Sequence, residues 1–177
     1  MEFVRLTRES STIPVLERIN EEPISMEDKS LILNLVDTGA TVMAIYEYSE
    51  AIGFAVVREY KDIIYLAYLA IARDSRSRGF GTAAVEELAD QYYEKQVIVE
   101  YEAPESPNVD PAVCIKRRNF YRRNGFKKTG WYALYGEVEF EIACAGAEFD
   151  VDMFIEFKED LSKTLRTPIP HPYRKDF

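Results

Sequence analysis

The residues with the most chemistry in their spacing run Arg73-Asp74-Ser75-Arg76-Ser77-Arg78-Gly79-Phe80-Gly81-Thr82. They follow the apolar run Ile63 to Ala72 and precede an amphipathic one, Thr82 to Tyr93, so the order reads strand, glycine turn, helix. A chain entering a helix leaves backbone N–H groups unpaired at the positive end of the helix dipole, and such a turn binds anions. Gly79 and Gly81 let an anion approach the backbone with no Cβ in the way, while Arg73, Arg76 and Arg78 supply cations. No Gly-Lys-Ser/Thr follows, so a nucleoside triphosphate with magnesium is not implied.

A second set of residues can move protons. In Asn119-Phe120-Tyr121-Arg122-Arg123-Asn124-Gly125-Phe126, Tyr121 carries a phenol. Its ordinary pKa of about 10 keeps it neutral near pH 7, so it can give a proton to a departing anion. Glu100 and Glu102 stand two apart, on one face of the strand expected over Gln96 to Glu102. Either carboxylate, or a water chain leading to one, could take a proton. Tyr65, Tyr68, Trp131 and Tyr135 alternate along expected strands and are candidates for core packing or for an acceptor pocket. No metal is expected: Cys114 and Cys144 lack ligand spacing, and the single histidine is His171, which also gives no partner for a cysteine nucleophile.

The elements that must position these groups alternate in type. Glu2 to Leu6 reads as a first strand, and helices are expected over Ile13 to Ile19 and from the capping box at Ser25 to about Asp37. Thr41 to Tyr48, Ala51 to Tyr60 and Ile63 to Ala72 read as three consecutive antiparallel strands. After the turn and its helix come a strand at Gln96 to Tyr101 and a polar, proline-punctuated loop at Pro104 to Pro111. A helix over Val113 to Arg123 closes at Asn124-Gly125, and Trp131 to Tyr135 with Val138 to Ala143 form a hairpin around Gly136. Phe149 to Phe157 is expected as a strand or extended arm, and Thr167 to Phe177 as an irregular tail.

Composition bounds the class. With 177 residues, 47% hydrophobic and 30% charged, the chain is expected to fold as a single domain over 1–177, with a motif-bearing core at about 41–140 and a C-terminal arm at about 145–177. A net charge of -9 repels phosphate backbones and anionic membranes, so neither nucleic acid nor membrane is expected as a partner, and cationic partners are favoured. No leader-like segment or apolar run long enough to span a bilayer stands in it, and the expected compartment is the cytoplasm. Val138 to Phe157 could pair with a second copy to make a homodimer, or serve internally.

Arg76-x-x-Gly79-x-Gly81 after an apolar strand resembles the pyrophosphate-binding signature of the Gcn5-related N-acetyltransferases, and a tyrosine four residues before Gly125-Phe126 is similar to that family's later helix. The resemblance covers about Thr41 to Phe140. It implies an α/β fold with a mixed, mainly antiparallel sheet of six or seven strands, splayed between the fourth and fifth. It implies acetyl-coenzyme A held by Arg76, Ser77, Arg78, Gly79, Phe80, Gly81 and Thr82, with backbone N–H groups near Ala70 and Ile71 for the thioester oxygen. It further implies direct acetyl transfer to a primary amine, on a small molecule or a protein N-terminus, with Tyr121 as general acid. Val99-Glu100-Tyr101-Glu102 resembles the strand that bears the catalytic glutamate in the ribosomal-protein N-terminal acetyltransferases of that superfamily, which points to Glu100 as base. Cys114 and Arg117 depart from the asparagine and alanine of many relatives, so Arg117 or Arg118 would have to take over contacts to the cofactor. A catalytically silent acyl-coenzyme A sensor of the same fold is the alternative.

Overall fold

The structure, a computed structural model, describes residues 1–6 and 34–175. The helix expected over Ile13 to Ile19 and the capping box at Ser25 lie outside the described residues. Residues 34–37 are helical and end at Gly39, whose φ of +91° explains the glycine, so the expected helix end is met. The chain forms two compact units, Met1–Glu59 with Tyr65–Glu87, and Tyr60–Ile64 with Leu88–Phe177.

In the first unit, β1 (Glu2–Leu6), β2 (Thr41–Glu47), β3 (Glu50–Tyr60) and β4 (Ile63–Ile71) are neighbours in that order. β1 and β2 pair antiparallel from Glu2 opposite Tyr46, and β2 and β3 pair antiparallel with an irregularity at Ile45/Tyr46. Strand β4 then leads through a short 3-10 turn, Arg73–Ser75, into α1 (Phe80–Gln91). Ile45, Ile52 and Ala84 form a core cluster against which Phe3, Leu69, Ile71 and Phe80 pack. The end of β4 is held close to β3: a Cβ on Gly53 would lie 2.6 Å from the Ala70 carbonyl oxygen and 2.8 Å from Ile71 Cδ1.

The second unit contains β5 (Gln96–Glu102), α2 (Pro111–Arg123), β6 (Lys127–Tyr135), β7 (Val138–Gly146), α3 (Val151–Leu165) and β8 (Tyr173–Arg174), with strand neighbours in the order β5, β7, β6, β8. β5 pairs antiparallel with β7, Glu100 opposite Ile142. Within the same unit the Gln96 N–H donates to the Asp62 carbonyl at 2.8 Å. The fold is therefore mixed α/β with a mainly antiparallel sheet, as expected. Among the described residues there are eight strands where six or seven were anticipated, because two residues of the expected irregular tail pair with β6 at Trp131 and Tyr132. Arg174 stacks over Trp131 at 5.2 Å, and Lys175 bonds Glu139 at 2.5 Å, which fastens that tail.

One element differs in kind from the reading. Phe149 to Phe157 is not a strand or an arm; Val151–Leu165 is a fifteen-residue helix. Asp150 caps it by accepting from the Met153 N–H at 3.0 Å, and Phe154, Phe157 and Leu161 fall on one face with helical spacing. Aromatic, β-favouring residues at its start disguise that period. No helix among the described residues is long and apolar enough to cross a membrane.

Candidate active site

The turn before α1 has the backbone that its sequence demands. Gly79 has a φ of +86°, a left-handed value that glycine adopts without strain, and Ser77 has a φ of +62°, a value uncommon for a residue with a Cβ. Open space surrounds the position where a Cβ on Gly79 would stand. Arg73, Arg76, Ser77, Arg78 and Gly79 are exposed, while Phe80, Gly81 and Thr82 are half-buried where α1 begins. Arg76 donates from Nε to the Ile71 carbonyl at 2.9 Å, which ties the turn to the end of β4 and leaves its terminal N–H groups to point elsewhere. The Arg78 guanidinium sits 5.0 Å from the centre of the Phe80 ring. No acidic residue occupies the first turn of α1, so its positive end is not neutralised from within. Exposed Arg76 and Arg78, the open approach to Gly79 and the unneutralised start of α1 thus stand together in this turn.

The residues expected to move protons, Tyr121, Glu100 and Glu102, lie in the second unit. Helix α2 is started by Asp110, whose carboxylate accepts from the Ala112 N–H at 2.9 Å, with Pro111 following. Arg118 forks onto the buried Glu141 of β7 at 2.9 and 2.7 Å and also pairs with Glu105 at 2.9 Å. This clamp fixes the helix that carries Tyr121. The Tyr121 ring stacks on Tyr101 at 5.5 Å and 7°, and meets Phe120 and Phe126 edge-on at 5.2 Å each. Burial there pushes its phenol up to about 12, against a smaller opposing pull from Arg117. Tyr121 is thus a neutral hydroxyl throughout the physiological range.

Glu100 and Glu102, expected on one face, have separate partners. Glu102 pairs with Arg117 of α2. Glu100 is 3% exposed and accepts from the wholly buried Lys158 ammonium of α3 at 2.5 Å and from the Tyr135 hydroxyl at 2.9 Å. Lys158 also donates to the Tyr135 oxygen. Burial pulls the Lys158 ammonium below the usual lysine range, opposed by Glu100. Lys158 escaped the sequence reading; the only signal was its place four residues after Phe154 on the apolar face of a helix read as a strand. A groove of about 510 Å³ is lined by residues including Glu102, Val113, Cys114, Arg117, Tyr135 and Phe140. Cys114 is buried, and burial raises its thiol, so it is a poor nucleophile. Arg117 and Arg118, considered for the cofactor, are both engaged by carboxylates. Among the described residues no group of histidine, cysteine and carboxylate side chains could hold a metal.

A family model described as an acetyltransferase (GNAT) domain matches residues 38–128. The chain belongs to the GNAT acetyltransferase family. The match ends after α2, so α3 and its Lys158 lie beyond the part shared with that model. No curated protein sequence matches the chain. Solved structures of the GNAT fold do: the ribosomal-protein-S18-alanine N-acetyltransferase of Escherichia coli is 17% identical with a TM-score of 0.59, covering 84% of this chain and 96% of that one. A GNAT acetyltransferase of Elizabethkingia anophelis, solved with acetyl-CoA bound, is 12% identical with a TM-score of 0.61, covering 82% and 97%. A GNAT-family protein of Bacteroides thetaiotaomicron is 18% identical with a TM-score of 0.65, covering 96% and 99%.

Proposed function

We propose that this GNAT-family chain is a cytoplasmic N-acetyltransferase that moves acetyl from acetyl-coenzyme A to a primary amine by direct attack, both substrates being bound together. The observation that carries this reading is the turn before α1, where Gly79 leaves open space at a left-handed φ beside Arg76 and Arg78. Backbone N–H groups of residues 77–82 and the two arginines would hold the pyrophosphate, with Ser77 and Thr82 as hydroxyl donors and Phe80 anchoring the turn in the core. The bound coenzyme supplies an acetyl thioester, whose carbonyl carbon is the electrophile. Backbone N–H groups near Ala70 and Ile71 would receive the charge that develops on the carbonyl oxygen. Glu100 takes the proton that an ammonium must lose before its nitrogen has a lone pair, and Tyr121, neutral up to about pH 12, gives one to the leaving thiolate. The acceptor is a small-molecule amine or a protein N-terminus.

The reading is tested in two steps. Coenzyme A at 100 times its dissociation constant stabilises the folded state by about 2.7 kcal/mol, seen as a raised melting temperature. Release of free thiol from acetyl-coenzyme A is then followed with spermidine, an aminoglycoside, an amino acid and an alanine-terminated peptide. A flat melt at millimolar coenzyme A overturns the reading, and a raised melt with no turnover on any amine supports a sensor instead.

A further inference from the structure

The geometry points to Tyr135 as a further catalytic residue, the phenol through which the acceptor's proton reaches Glu100. This rests on the reading of Glu100 as base. The Glu100 carboxylate is 3% exposed and is held by a lysine that is 0% exposed, so an acceptor ammonium has poor direct access to it. Tyr135 bridges that gap: it lines the groove, and its hydroxyl donates to Glu100 Oε2 at 2.9 Å. Its ring is fixed edge-on against Phe140 at 5.0 Å and 71°. Among the groups facing Glu100 are Lys158 from α3 and Tyr135 from β6, and its register partner on β7 is the apolar Ile142.

The step balances within these groups. An ammonium seated in the groove passes a proton to the phenolic oxygen of Tyr135 while the phenol's own proton moves to Glu100 Oε2. The phenol is neutral before and after, the carboxylate becomes a carboxylic acid, and the amine gains its lone pair. Lys158 is a positioning residue here: its ammonium donates to both oxygens and keeps them in register.

The test uses the full chain and whichever amine of the panel is turned over fastest. Tyr135→Phe keeps the ring, its packing on Phe140 and the Glu100–Lys158 pair. Its kcat is expected to fall by about 10²-fold or more, with a cooperative melt retained and the KM for acetyl-coenzyme A unchanged within about twofold. A second background, Glu100→Gln with Lys158→Met, removes the proton's destination without stranding a buried charge. Adding Tyr135→Phe to it should cost nothing further, because residues acting as one unit are not additive. Equal losses in both backgrounds, or a Tyr135→Phe protein with nearly full kcat while the second background is impaired, overturn the relay alone. A second background of full activity overturns Glu100 as base and the relay with it.

Discussion

Tyr121 is the residue whose surroundings are most sharply defined, since three aromatic rings enclose it and only its hydroxyl distinguishes it from phenylalanine in that stack. If it protonates the leaving thiolate, Tyr121→Phe should lower turnover by about 10² to 10⁴-fold while coenzyme A affinity stays constant. The raised phenol pKa carries a second expectation for stability. The unfolded chain ionises this tyrosine at about pH 10 and the folded chain only at about 12, so its contribution is complete below pH 10 and is lost as pH rises from 10 to 12. Tyr121→Phe should flatten that part of the stability curve, as followed by urea unfolding at each pH. A variant that unfolds with the same pH slope as wild type, and turns over at the same rate, would make Tyr121 a packing residue only.

At the scale of elements, the buried Glu100–Lys158 pair fastens α3 to β5. Breaking it from one side strands a charge: Lys158→Met should destabilise the fold by about 3 to 5 kcal/mol, and adding Glu100→Gln should restore much of that loss. Urea midpoints of the single and double variants measure this directly, and additive losses would count against a coupled pair. This helix also marks the limit of what was legible in the sequence. The turn at Arg76 to Gly81, the strand bearing Glu100 and the helix bearing Tyr121 announce themselves through glycines, alternation and a cap, because those signals are local. Lys158 meets its carboxylate and phenol partners 58 and 23 positions away. A lysine between Phe157 and Glu159 reads as a surface residue until the helical face is known. Glu100 and Glu102 share a strand face, but nothing local reveals that one would meet a buried ammonium and the other an arginine on α2.

For the molecule as a whole, a net charge of -9 sets a field that opposes an anionic coenzyme, so the proposed function makes binding depend on the few cations gathered at the turn. The two contributions respond to salt with opposite sign. Attraction to Arg76 and Arg78 weakens as ions screen it, and repulsion from the acidic remainder weakens too, over a Debye length of about 10 Å at 0.1 M salt. In the wild type the short-range attraction dominates, and coenzyme A affinity should fall as salt rises. In an Arg76→Ala/Arg78→Ala protein the repulsive field is left, so affinity should be far lower at low salt and then hold steady or rise as salt is added. Titration calorimetry from about 0.02 to 0.5 M sodium chloride would separate the two slopes. Parallel slopes for both proteins would mean that the phosphates sit away from the turn before α1 and that the acidic field acts on solubility alone.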